Sequence, residues 1–386
     1  MNCCDRKKIW LILAGIYFVL CMFTPATVKA TTSGTSPAKT DITKDIEYDE
    51  IQKVIDQVLT TNDKINFEDY VTDILTGNRK SSLEQILKDL KDALVKEVKS
   101  NISTFTGLIS IAVIAAVFTN FSYAFQNTQV AETGFYVAYL LLFSILTASF
   151  ISAATLAANT ISAILDFMKA LVPAYFISVA FCSSAATSMV YYQVSLFLIT
   201  FVDMLLVHIL IPMINIYLVI SMANNLSKED LLSKLADLIS EVIRWSLKTL
   251  IGLVVGFNAI QGLILPVADS IKKSTLLKLA GAIPGIGNAL GGVTESVIGA
   301  GILLKNAIGV AGVIVIITVC AVPIIKLAVT TLIYRVSSAA VQPISDKRML
   351  KCVTASADAC VLLLQTVIVG AILFLLTITI IAATTN

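Results

Sequence analysis

Beyond residue 101 the chain is a succession of apolar runs, each long enough to cross a bilayer and set apart by short polar turns. This pattern constrains the fold more than anything else in the sequence. Inside a bilayer every backbone N–H and C=O must find its partner within the protein, which leaves helices and closed barrels. The runs have helix length, about 20 residues, rather than the roughly ten of a barrel strand. An all-α, polytopic α-helical integral membrane protein is therefore expected. Composition agrees: 57% of the 386 residues are hydrophobic and 14% charged, with a mean hydropathy of +0.86. A soluble domain carries about a quarter charged residues. The formal net charge of +2 leaves no nucleic-acid footprint. There is one histidine, His208, and the seven cysteines show neither zinc nor disulfide-framework spacing, so no metal or cofactor is expected.

Residues 1–30 read as a cleavable signal peptide. Arg6, Lys7 and Lys8 precede an apolar core, and Val28-Lys29-Ala30 offers a small-residue cleavage site. Residues 31–101 form a small helical extracytoplasmic domain with a flexible start. Its stripes are Ile51, Val54, Ile55 and Val58, then Phe67 to Leu75 capped by Asn66, then Leu83 to Val98. It holds ten Lys/Arg against fourteen Asp/Glu, so it is acidic.

Residues 102–386 form the transmembrane bundle, of about seven to eight spans. Expected spans include Ile102–Phe121, Phe135–Ala158, two within Leu171–Met222, Thr249–Val267, Ala307–Tyr334 and Ala359–Ala383. A charged connector at Asp166 and Lys169 separates the second from the third. An amphipathic helix near 225–248, with Leu231, Leu235, Leu238, Ile239, Val242 and Trp245 on its apolar face, lies in the interface or receives a partner helix. Candidate intramembrane polar residues are Asp203, His208, Asn215, Asn258, Gln261 and Lys326. At 3.6 residues per turn Asp203 and His208 lie roughly 140° apart and share no face.

The segment 281–301 is dense in glycine. Gly281, Pro284, Gly285, Gly287, Asn288, Gly291, Gly292 and Glu295 are its candidate packing or pore residues. Gly281/Gly285 and Gly287/Gly291 have the spacing that lets membrane helices approach closely. Pro284 frees a carbonyl that neighbours or cavity water must satisfy. Two readings follow: a tightly packed helix, or a broken, re-entrant one lining a cavity. A dinucleotide loop is a weak reading, because Gly285-x-Gly287 has neither the preceding strand nor the later acid.

Leu279-Ala-Gly-Ala-Ile-Pro-Gly-Ile-Gly-Asn-Ala-Leu, followed by Leu303-Leu-Lys-Asn-Ala-Ile-Gly-Val-Ala-Gly312, resembles the signature region of the stage III sporulation protein AE family. The layout of leader, polar domain and apolar bundle matches along nearly the whole chain. The resemblance implies a permease-like membrane core of a channel complex between mother cell and forespore in endospore-forming bacteria. It implies as partners the other stage III sporulation proteins of the AA-to-AH set and stage II sporulation protein Q. It implies the mother-cell membrane around the forespore as the location. It carries no catalytic residues, and no protease or hydrolase motif is present, so no enzyme activity is expected.

Alternatives are a self-contained secondary transporter and a non-conducting scaffold. Pro173 and Pro212 are 39 residues apart, as are Pro284 and Pro323, a hint of the inverted repeats transporters use. Positive-inside reasoning puts the Lys272–Lys278 and Arg335–Lys351 loops in the cytoplasm and the N-terminal domain and C-terminus outside. In that arrangement Lys228, Lys234, Arg244 and Lys248 lie outside as well. An assembly of several copies is compatible with all three readings.

Overall fold

The computed structural model describes residues 48–58, 66–76, 128–180, 185–226, 231–281, 287–343 and 346–384, with isolated helical positions between 95 and 117. The expected signal peptide, the flexible start and most of the third amphipathic helix lie outside the described residues. Among the described residues there is no strand, and the compact unit that holds them runs from Lys44 to Asn386.

Two short helices open it, α1 (Asp49–Val58) and α2 (Phe67–Thr76). Each buries the residues its stripe predicts: Ile51 and Ile55 on α1, Phe67 and Val71 on α2. Asn66 caps α2, its Oδ1 accepting the Glu68 N–H at 3.1 Å, and Glu68 and Asp69 suit the positive end of the helix dipole. These helices pack against the bundle itself, α1 on α3 (Thr128–Ala180) and α2 on α7 (Gly287–Val341). The Phe67 ring meets Phe167 of α3 edge-on at 6.4 Å.

The remaining elements are α4 (Ala185–Asp203), a π-helical turn (Met204–Leu210), α5 (Ile211–Leu226), α6 (Ser233–Gly281) and α8 (Lys347–Thr384). Among the described residues four stretches are long and apolar enough to cross a membrane: Thr133–Ala180, Tyr192–Leu226, Ile298–Val341 and Lys347–Thr379. Several expected boundaries vanish. The 53 residues of α3 run about 80 Å without a break, so Asp166 and Lys169 form no connector. Both are simply exposed positions on a continuous helix. The amphipathic helix begins at Ser233, eight residues later than Asn225, and continues through the expected fifth span to Gly281. Charge placed on a helix's outer face does not end the helix; only the backbone can do that.

The last helix is the centre of the bundle. α8 packs on α3, α5, α6 and α7, and Leu362, Leu363, Thr366 and Val367 on it are fully buried. Several buried hydroxyls are satisfied within their own helices: Thr366 donates to the Leu362 carbonyl at 2.8 Å, Thr377 to Leu373 at 2.8 Å and Ser178 to Ala174 at 3.0 Å. Such back-bonding lets a polar side chain sit in an apolar interior without a partner helix. Cys320, Cys352 and Cys360 are buried and free, as small hydrophobes are. Cys352 lies on α8 rather than in a polar loop.

At Gly312 α7 lies close against its neighbours. A Cβ on Gly312 would stand 2.7 Å from Leu171 Cδ2 on α3 and 3.5 Å from Ile378 Cδ1 on α8. Gly312→Val is expected to cost about 1–3 kcal/mol through overpacking. Detergent-solubilised protein should show the loss as a lowered midpoint in thermal unfolding, with Gly312→Ala nearer wild type.

Candidate functional site

Tertiary contacts give the bundle two ends. At the first, the Tyr139 hydroxyl on α3 donates to the Met222 carbonyl on α5 at 2.6 Å. The Arg348 guanidinium of α8 lies over the Phe135 ring at 3.6 Å, and the Asp346 carboxylate caps α8 by accepting the Arg348 N–H at 2.8 Å. Asn224 Oδ1 accepts the Leu232 N–H at 2.7 Å, turning α5 into α6. Just inside this end four helices bring polar groups together. Arg335 on α7 pairs with Asp358 on α8 at 3.7 Å, with Arg244 of α6 in electrostatic reach of Asp358 and of Tyr217 on α5. Asp358 was not singled out from the sequence, although an acid beside the last apolar run was the signal available.

This geometry corrects the expected sidedness of one segment. Arg244 sits beside the Arg335–Asp358 pair, so Lys234, Arg244 and Lys248 belong to the same end as Lys347, Arg348 and Lys351. The sequence-based arrangement had them on opposite sides. The correction follows from α6 starting beside Asn224 and running alongside α8, which charge counting could not reveal.

The other end carries α1 and α2, through Phe67 on Phe167, and the C-terminal part of α8, through Ile378 near Gly312. Here the glycine-rich segment enters. One helix stops at Gly281 and the next starts at Gly287. Residues 282–286, on which the choice between a packed and a broken helix turns, lie outside the described residues. Pro284 and Gly285 lie outside the described residues. Gly287, Asn288, Gly291, Gly292 and Glu295 fall on the first turns of α7, where only the backbone is described. Beyond them Gly301 and Gly309 are buried, and Lys305 is fully buried.

The intramembrane polar candidates do not converge. Asn258 is buried, its Nδ2 donating to the Val254 carbonyl at 2.8 Å. Asp203 and Lys326 are half-buried, and His208 and Asn215 are exposed on the outside of the bundle. The side chain of Gln261 lies outside the described residues. The angular separation of Asp203 and His208 also changes. Met204–Leu210 is a π-helix, in which the Ile211 N–H reaches back to the Leu206 carbonyl. The wider turn brings residues five apart nearer to one face than an α-helix does. Pro212 follows the turn; its ring would clash with the carbonyl four residues back and it has no N–H to offer it. Leu206 is buried, and a Cβ on Gly370 of α8 would stand 3.2 Å from its Cδ1. Among the described residues no hydrogen bond or ion pair joins Asp203 to His208. The matching proline, Pro323, sits inside the continuous helix α7, so the two halves of the suspected repeat differ in local backbone.

Long apolar helices wrapped around a buried central one, with polar anchors at one end, define an α-helical membrane protein. The chain belongs to the stage III sporulation protein AE family, whose model matches residues 65–385. It is similar to stage III sporulation protein AE of Bacillus subtilis (strain 168), with 25% identity over 315 residues, 81% of this chain and 79% of that relative. No solved structure matches it.

Proposed function

We propose that this protein is the permease-like membrane core of a multiprotein complex joining mother cell and forespore, without an enzymatic step of its own. The family supports the sporulation setting, and by resemblance the partners are the other stage III sporulation proteins and stage II sporulation protein Q. The observation that carries the assembly reading is the face that α6 turns away from its own chain. Leu231, Leu235, Leu238, Val242 and Trp245 are all exposed there, while Ala236, Ile243, Leu247 and Leu250 on the opposite face are buried. The outward line continues through Thr249 to Gly252 and Gly256, where nothing lies within 4 Å of an added Cβ. Its alternating steps of four and three residues are those of a helix-packing seam, and the two glycines would let another backbone come close.

Charge supports an orientation. The end carrying Lys234, Arg244, Lys347, Arg348 and Lys351 would face the cytoplasm, and α1, α2 and the C-terminus the intermembrane space, together with Lys272, Lys273 and Lys278 at the far part of the unbroken α6, against the cytoplasmic place expected for those three lysines. The test is a Gly252→Leu/Gly256→Leu double variant. It is expected to insert and accumulate normally, to leave the high-molecular-weight species in native gels of sporulating-cell membranes, and to lower spore yield at least about tenfold. Wild-type assembly and spore yield would remove the seam from the reading.

A second reading, ion-coupled transport by this chain alone, draws on the π-helical turn, because such turns recur at functional sites and this one follows Asp203 and contains His208. Asp203→Asn is expected to abolish coupled uptake into proteoliposomes under that reading. Under the assembly reading it leaves spore yield within about twofold of wild type.

A further inference from the structure

The helices around α8 leave one side of it open. α7 packs on α3, α3 packs on α4, and α4 leads through the π-helical turn into α5, which packs on α6. Both α6 and α7 pack on α8, yet among the described residues they scarcely meet each other. A groove therefore runs between them with α8 as its floor. Each of its three sides brings a charge to the same level. Arg335 of α7 pairs with Asp358 on the floor at 3.7 Å, and Arg244 of α6 acts on the same carboxylate. The Arg335 and Asp358 side chains are 60% and 42% exposed, so the cluster opens to the outside of the bundle. Among the described residues Arg244 forms no ion pair of its own. Two guanidiniums, each with five N–H donors, thus share one carboxylate, which leaves donors for a second anion.

The depth of the cluster is a separate observation. Past Lys248, α6 carries no charge until Asp269, and past Asp358, α8 carries none to its end. Both helices therefore turn charge-free at the level of the cluster, as they must where hydrocarbon begins. Trp245, beside Arg244, is 66% exposed at this level, and an exposed indole suits the headgroup layer. Toward the apolar side, Leu332 lies one turn from Arg335 and is exposed. Val255 lies three turns from Arg244 on the same face of α6 and is exposed as well. The acids Glu241 and Asp237 lie the other way, one and two turns before Arg244 toward the polar end.

A basic site at the rim of the apolar zone, with apolar walls on one side of it, matches an amphiphile. Guanidinium groups pair with phosphate through two parallel N–H···O bonds, and basic clefts between membrane helices take lipid headgroups in this way. A free phosphate ester would use the arginines and leave the walls uncovered, whereas acyl chains cover them. We propose that the groove between α6 and α7 binds an anionic phospholipid, its phosphate on Arg244 and Arg335 and its acyl chains along Leu332 and Val255. The site lies within one chain and stands apart from the assembly reading.

The experiment uses the full chain in phosphatidylcholine bilayers and reads the fluorescence of Trp245, the only tryptophan once Trp10→Phe is introduced. Dibrominated phosphatidylglycerol and dibrominated phosphatidylcholine are the quenchers. The anionic lipid is expected to quench with about fivefold or greater preference. Arg244→Gln/Arg335→Gln should reduce that preference to about twofold or less, whereas Lys347→Gln/Lys351→Gln, nearer the polar end of α8, should keep it. Asp358→Asn removes the competing carboxylate and should raise the preference about threefold or more, a gain that a damaged fold would not give. About 10 mM glycerol phosphate in the buffer should leave the quenching unchanged. Equal quenching by the two lipids, an unchanged preference in the arginine variant, an equal loss in the lysine variant, no gain in the Asp358 variant, or displacement by glycerol phosphate overturns the inference. Helical circular dichroism checks that each variant is folded, and if the arginine variant is not, the Asp358 variant decides.

Discussion

Lys305→Glu is expected to cost roughly 3–5 kcal/mol and to keep the protein from accumulating in membranes. Lys305 is fully buried on α7, among Leu304, Ala307 and Ile308, which are buried as well. An ammonium group can only donate hydrogen bonds, so surroundings that hold one offer acceptors. A carboxylate in its place turns acceptor against acceptor in a medium that screens poorly. Lys305→Met separates charge from volume. Methionine keeps the length but leaves the acceptors around it unpaired, at about 1–3 kcal/mol, so this variant should accumulate below wild type and above the glutamate variant. Quantitative immunoblots of washed membranes, with unfolding by SDS in mixed micelles, measure both. A glutamate variant as stable as wild type would mean that the interior around α7 is wetter than its burial indicates.

Phe67→Ala is expected to release α1 and α2 from the bundle at a cost of about 3–5 kcal/mol. The Phe67 ring is fully buried, between Tyr48 at 5.9 Å and Phe167 at 6.4 Å, and its N–H holds Gln52. Removing the ring takes away a side chain that touches both Tyr48, at the start of α1, and Phe167 of α3. The helices of the bundle keep their own packing, so the loss is local. Limited proteolysis should cut within 48–76 several-fold faster than in wild type, while the fragment beyond residue 128 stays resistant. Phe67→Leu, which refills part of the space, should fall between the two. Equal cleavage of all three proteins would show that other contacts dock the short helices.

The two variants probe parts of the molecule that were unequally legible. Phe67 and its cap Asn66 could be read from the stripe and the capping residue, because a short amphipathic helix needs only a periodicity and a start signal. That Phe67 lands on Phe167 could not, since local pattern says nothing of which apolar face meets which. Lys305 was visible only as a charge in a glycine-rich run. Its complete burial depends on α3 and α8 closing around α7. The π-helical turn before Pro212 had its signal in the proline, but a proline permits a kink, a break or a bulge, and packing of Leu206 near Gly370 accompanies the third.

The run of apolar segments by itself determined that this protein is all-helical and built for a membrane, because a bilayer allows an exposed backbone no other open form. It also carried the family, in the spacing of glycine and proline between Leu279 and Gly312. Only the tertiary structure decided where helices end, which side of the bundle Arg244 joins, and that the apolar stripe of α6 faces outward. The physical reason is one of range. Hydrogen bonding within a helix is settled over four residues, whereas the choice among apolar faces of similar hydrophobicity is settled by shape, and shape is assembled from helices more than a hundred residues apart.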